Sequence, residues 1–180
     1  ALFHMHHGCP TPIVHRDISS KNVILSSGYE ETRIIDFGAA KFLNTYSNNT
    51  TTFVGTFGHA APELAFIVEA NEKCDVYSFG VLILEIIMGT HPGELISYLG
   101  EKPANNDLLF TNVMDTRLSS LGRSILDEVL VVAKIAFSCL NENPRSRPTM
   151  KQVSMELARP PKFHLEDQFQ TITIGQLMMA

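Results

Sequence analysis

The sequence predicts an α+β chain in which a few small strands come first and a helical body follows. Three observations carry this. Short β-rich runs at 13–14, 23–25 and 33–35 are parted by polar turns, the pattern of short strands. From residue 62 onward the apolar spacing is helical. Between these regimes, 41–60 is rich in Asn, Thr, Ser and Gly with little periodicity and predicts one long loop.

Taken in order, 1–7 reads as the end of a helix, closed by Gly8 and broken by Pro10 and Pro12. The three β-runs follow, then the long loop. Pro62 suits the first position of a short helix, because its missing N–H costs nothing there. Residues 74–88 form a strongly apolar segment that stops at Gly89 and predict a buried helix. Further helices are expected over 124–140 and 149–158. In the second, Thr149 is the expected N-cap, and Gln152 completes a capping box. Pro160 and Pro161 stop that helix, and 162–180 follows as a tail with no clear period.

Bulk properties narrow the role. Hydrophobic residues make up 44% of the 180 and charged ones 18%, a globular balance that argues against wholesale disorder. The net charge of −5 disfavours nucleic acid or an anionic membrane as main partner. Cys9, Cys74 and Cys139 are odd in number and far apart, which points to free thiols in a reducing compartment rather than disulfides or zinc. The sequons at Asn48 and Asn49 read as a polar loop. The longest apolar runs, 81–88 and 129–140, are interrupted by Glu85 and Lys134 and are too short to span a bilayer. The chain opens at Ala1 inside a helical pattern, so it is expected to be part of a longer protein.

The chemistry concentrates in HRDISSKN, with His15, Arg16, Asp17 and Asn22 on a polar turn between two β-runs. Downstream stand Asp36-Phe37-Gly38 and then Ala61-Pro62-Glu63. A carboxylate such as Asp17 orients an attacking hydroxyl and accepts its proton. The carboxylate of Asp36 and the neutral carbonyl of Asn22 are hard oxygen donors of the kind Mg²⁺ prefers. One loop bearing Asp17 and Asn22 fixes base and metal relative to each other.

In this order the three motifs resemble the catalytic loop, metal-binding triplet and activation-segment end of protein kinases. The resemblance implies a protein-kinase-like fold represented by its helical C-terminal lobe with short β-hairpins, the small N-terminal lobe being missing. The lobe is expected over 1–158, with the catalytic loop at 15–22, the activation segment at 36–63 and a C-terminal tail at 159–180. Residue by residue it implies Asp17 as catalytic base, Asn22 and Asp36 as metal and nucleotide ligands, and ATP with Mg²⁺, or Mn²⁺ in its place. Lys21, four after Asp17, is assigned to the transferring phosphate; the competing reading is a solvated loop lysine. Arg16 implies a phosphorylation-switched activation segment, with Thr45, Tyr46, Ser47, Thr50, Thr51 and Thr52 as acceptors, most of them only loop solubilisers. Thr56 matches the threonine that favours hydroxyl over phenol acceptors.

His59 stands where tyrosine is usual, and losing that ring is expected to loosen the substrate-docking surface. Asp75 and Arg147 are expected scaffold residues, the first holding the catalytic-loop backbone and the second pairing with Glu63. His15 is read as a packed structural histidine. The cluster His4, His6 and His7 is read as an exposed helix end, and the VVAK at 131–134 as helix core.

The stretches at 6–25, 71–97 and 135–150 are similar to plant leucine-rich-repeat receptor-like serine/threonine kinases, nearest the MDIS1-interacting receptor-like kinase subgroup. That likeness implies a plasma-membrane protein with this segment on the cytosolic side, cytoplasmic if the chain exists alone. Protein substrates and partner or co-receptor kinases are implied, with no nucleic acid and no membrane contact by this segment. No G-x-G-x-x-G occurs in the 180 residues, so the chain alone is expected to bind ATP weakly and to transfer phosphate at no useful rate. The alternative is a truncated, inactive lobe that serves as an interaction module or phosphoacceptor.

Overall fold

The computed structural model describes residues 1–28, 31–43, 53–66, 69–101, 107–120, 122–159 and 169–179. The opening turn His4–Gly8 is a π-helix. Two antiparallel pairs follow. β1 (Ile13–Val14) pairs with β4 (Lys41–Phe42), Ile13 opposite Phe42; β2 (Val23–Leu25) pairs with β3 (Thr32–Ile34), Val23 opposite Ile34. Strands this short are marginal by themselves and depend on what they pack against. The third predicted run therefore moves back by one residue, although the Ile35 N–H still reaches Asn22 O at 2.9 Å. Residues 41–42, expected in the loop, are strand instead, because Val14 offers Lys41 a ladder partner that no local pattern reveals.

α1 (Glu72–Met88) is the central helix. Asn71 caps it by accepting the Lys73 N–H at 2.9 Å, and Gly89, at φ 69°, ends it in the left-handed region that glycine adopts without penalty. Val76, Val81 and Leu84 on α1 are essentially inaccessible to solvent, so each contributes about 1.5–3 kcal/mol by leaving water. α1 packs against α3 (Arg123–Cys139), where Gly80 permits the approach: a Cβ there would lie 2.9 Å from Ala136 O and from Cys139 Cβ. α2 (Gly93–Glu101) was not anticipated from the local pattern; it buries Leu95 and Leu99 beside Ile83 and Ile87. α4 (Met150–Leu157) begins with the predicted capping box of Thr149 and Gln152.

Part of the tail is built into the core. α5 (Ile174–Met179) follows a β-bridge in which Phe110 N–H donates to Ile172 O and Ile174 N–H donates to Leu108 O, each at 2.9 Å. Ile172, Ile174 and Leu177 join the cluster around Phe110 and Leu130. A second cluster, containing Leu2, Met5, Ile18, Val76 and Val153, ties the opening turn and the loop after β1 to α1 and α4. Among the described residues no single helix is long and apolar enough to cross a membrane; α1 and α2 qualify only as a pair bent by 114°.

Candidate active site

The loop between β1 and β2 is held from below by a buried carboxylate. Asp75, fully buried in the first turn of α1, accepts the His15 and Arg16 backbone N–H groups at 2.8 Å each and the His6 Nε2–H at 2.9 Å. Three donors meet the need of a charge removed from water. They also hold Arg16 in a left-handed conformation, φ 72°, which a non-glycine residue adopts only where its surroundings fix it. His15 is buried too. Its Nε2–H donates to Ile35 O at 3.0 Å, its Nδ1 accepts the Asp17 N–H at 3.3 Å, and its ring meets Phe37 edge-on at 5.0 Å.

Above this support the Asp17 carboxylate is fixed on both oxygens. Asn22 Nδ2 donates to Asp17 Oδ2 at 2.9 Å and to Asp17 O at 2.8 Å, while Thr56 Oγ1 donates to Asp17 Oδ1 at 2.6 Å. A second contact joins Thr56 Oγ1 to Ser19 Oγ at 3.3 Å. Because the Asn22 amide nitrogen is committed to Asp17, its carbonyl oxygen is the atom left to face a cation. Asp36 is exposed and left-handed at φ 61°, with one oxygen accepting the Gly38 N–H at 3.2 Å. An exposed carboxylate and an amide oxygen are a donor set that fits Mg²⁺, which takes few protein ligands and completes its shell with phosphate oxygens and water. Among the described residues no three His, Cys, Asp or Glu side chains group around an ion.

The segment before Ala61-Pro62-Glu63 returns to this loop at close range. Gly55, at φ 136°, leaves no room for a side chain, since a Cβ would lie 2.8 Å from Arg16 O. Arg16 Nη1 donates to Ala39 O at 3.2 Å, which places the guanidinium beside the residues after Asp36. At the far end, Glu63 and Arg147 form a two-pronged pair, 2.7 Å on each prong, with the Arg147 side chain fully buried. Arg147 also donates to Asn141 O and Lys73 O and lies 4.9 Å over the Tyr77 ring. Lys73 Nζ closes the arrangement on the carbonyls of Arg147 and Pro148, and burial lowers its pKa from the ordinary lysine value. Nearby, burial first and then the Glu63 charge push the Cys74 thiol up to about 12, which leaves it protonated and unreactive.

A protein kinase domain model matches residues 1–156. This chain belongs to the protein kinase family. Relatives in Arabidopsis thaliana share its sequence to different degrees. The MDIS1-interacting receptor like kinase 2 is 48% identical over 86% of this chain and 15% of its own length. A probable leucine-rich repeat receptor-like protein kinase is 47% identical over 86% of this chain and 14% of itself. The receptor protein-tyrosine kinase CEPR1 is 36% identical over 84% and 16%. The chain thus spans about one sixth or less of the length of the curated relatives it matches.

Within this kinase domain the structure brings Asp17, Asn22, Thr56, His15 and Asp75 into one connected network, and Glu63 and Arg147 into a second. Lys21 lies exposed on the 3₁₀ turn Ser20–Asn22, one residue before Asn22, with no link to Asp17. Thr45, Tyr46, Ser47, Thr50, Thr51 and Thr52 fall outside the described residues. VVAK lies in α3, as the helical pattern requires.

One histidine corrects the sequence reading, and a second proves more closely held than expected. His6 is not on an exposed helix end: it is 2% exposed and serves Asp75. Its signal was its place beside Leu2 and Met5, at the spacing of a buried helix face. His59 places an imidazole ring where tyrosine is usual. Its own ring is buried, with Nε2–H donating to Glu85 Oε2 at 3.3 Å. Glu85, whose charge interrupts the apolar 81–88 run, was the overlooked sign of a polar partner inside that packing.

Proposed function

We propose that this kinase domain transfers the γ-phosphate of ATP to serine and threonine hydroxyls of protein substrates, as the cytosolic catalytic lobe of a plasma-membrane receptor-like kinase. The observation that carries the reading is the Asp17 carboxylate, fixed by Asn22 on one oxygen and already engaged with an aliphatic hydroxyl, that of Thr56, on the other. Asp17 orients the acceptor hydroxyl and takes its proton as the new P–O bond forms and the bond to the β-phosphate oxygen breaks, with ADP as leaving group. Mg²⁺, when bound, supplies neutralisation of phosphate charge; Asn22 and Asp36 would hold it. Lys21 is assigned to the transferring phosphate and Arg16 to pairing with a phosphorylated activation segment. Partner or co-receptor kinases are the proposed source of that phosphate.

The 180 residues contain no G-x-G-x-x-G, and Phe37, beside Asp36, is 52% exposed. These two observations favour, for the chain by itself, the second reading: a lobe that transfers no phosphate and acts by binding or as a phosphoacceptor. Sequencing the transcript upstream of the Ala1 codon, and expressing the chain with whatever that frame encodes, separates the two. With labelled ATP and Mg²⁺, phosphoserine and phosphothreonine are expected to form on an added protein. Asp17→Asn is expected to reduce the rate at least about a hundredfold. Transfer that survives Asp17→Asn, or that yields only phosphotyrosine, rejects the proposal. Asp17-dependent transfer by residues 1–180 alone rejects the second reading.

A further inference from the structure

Away from the Asp17 loop, a cavity of about 730 Å³ opens where α1, α2 and α3 meet the turn Pro62–Ala65 and α5. That volume lies within the range of small-molecule sites. Three of its lining residues are buried: Leu99 of α2, Phe137 of α3 and Tyr77 of α1. Phe66, 89% exposed, adds a third aromatic ring to the lining.

Tyr77 is the one buried lining residue with a polar side chain. It is 7% exposed, the Arg147 guanidinium lies over its ring, and its hydroxyl makes no hydrogen bond to any described residue. Burial raises the phenol's pKa above the ordinary tyrosine value, so at neutral pH it keeps its proton and is a donor. A buried donor without a partner costs free energy that a bound acceptor recovers. Other polar groups of the lining are already engaged. Glu63 is forked onto Arg147, the Ser138 hydroxyl donates to Ile135 O at 2.7 Å, and Asn141 Oδ1 accepts the Asn143 N–H at 3.0 Å.

Charge narrows the ligand further. The charged lining residues are Glu63 and Glu142, and the Glu142 carboxylate lies beside Gly100 of α2, 3.5 Å from where a Cβ would stand. Two carboxylates disfavour an anion. A cation gains little from Glu63, which Arg147 neutralises, and loses its water against Leu99 and Phe137.

We infer that this cavity is a binding site for an uncharged, partly aromatic small molecule that accepts a hydrogen bond from the Tyr77 hydroxyl. The site shares no residue with the Asp17 network, and the inference holds whether or not the chain transfers phosphate.

Benzophenone is the probe: it is uncharged, carries one ketone acceptor between two rings, and cross-links to nearby C–H bonds under ultraviolet light. Irradiated with the 180-residue chain, it is expected to label saturably, with adducts mapped by peptide mass spectrometry to residues 62–66, 96–100, 137–142 or 178. Tyr77→Phe keeps the ring beside Arg147 and removes only the donor. Half-saturation should then need about fivefold more benzophenone, the scale of one neutral hydrogen bond. Ile96→Trp fills the cavity and should abolish labelling at these positions. The anion 4-benzoylbenzoate, with the same two rings, should label about tenfold more weakly than benzophenone. Labelling that does not saturate, or adducts scattered over other surfaces, overturns the inference. So does a Tyr77→Phe variant that labels at the wild-type concentration, or 4-benzoylbenzoate that labels as readily as benzophenone. If either variant loses its helical circular dichroism, the adduct positions and the carboxylate comparison on wild-type protein decide.

Discussion

Arg147 illustrates how much one side chain can commit when it is withdrawn from water. Its guanidinium is fully buried, forked onto Glu63 and bonded to backbone carbonyls of α1 and of the turn before α4. Such a pair is weak evidence of net stability, since desolvation offsets most of the attraction, but removing one partner strands the other. Arg147→Ala is therefore expected to cost about 3–5 kcal/mol in urea denaturation, whereas Arg147→Met combined with Glu63→Leu should recover a large part of that loss. A single variant no less stable than wild type would mean that water reaches the site. The pair was legible only through the resemblance to protein kinases, which implies an arginine in NPRSRPTM paired with the Glu of Ala61-Pro62-Glu63. His6 and Glu85 were not, because a histidine or glutamate in an apolar run reads as exposed until the group it bonds is known, and those groups lie far along the chain.

Elements were legible in proportion to how locally they are determined. The capping box of Thr149 and Gln152 and the Gly89 stop are decided within four residues, and both helix ends stand as read. β4 and α5 depend on partners distant in sequence: Lys41 pairs with Val14, and Ile174 is bonded to Leu108. α5 is only six residues long, too short to form without tertiary support. Support comes from Ile174, which is fully buried, and from Gln176, whose N–H is accepted by Thr173 Oγ1. Ile174→Ala should accordingly destabilise the whole lobe by about 2–4 kcal/mol, shifting one cooperative unfolding transition. If the tail were an independent appendage, the same change would leave the main transition in place and speed proteolysis only after residue 159.

At the scale of the whole molecule, exposed apolar side chains occur on the strand pairs as well as on the helices. The two strand pairs and the turn after Asp36 leave Ile24, Leu25, Phe37 and Phe42 about half exposed or more, and the helical part leaves Phe66, Ile86, Met155 and Met179 more than half exposed. Isolated exposed apolar residues are ordinary; four on or near the short strands that flank the Asp17 loop are the ground for expecting that side to be covered in use. Covering it by a small lobe and covering it by a separate partner make the same demand on the chain alone. Expressed as 1–180, it is expected to self-associate at micromolar concentrations, because the net charge of −5 opposes association only weakly at physiological salt. Leu25→Lys together with Phe42→Lys should return it to monomer in sedimentation velocity, with helical circular dichroism unchanged, since neither side chain joins a core cluster. A wild-type chain that stays monomeric and binds no hydrophobic dye would show that this side needs no cover. The strand pairs would then be a finished surface, and the Asp17 network would have to be understood without a second lobe closing over it.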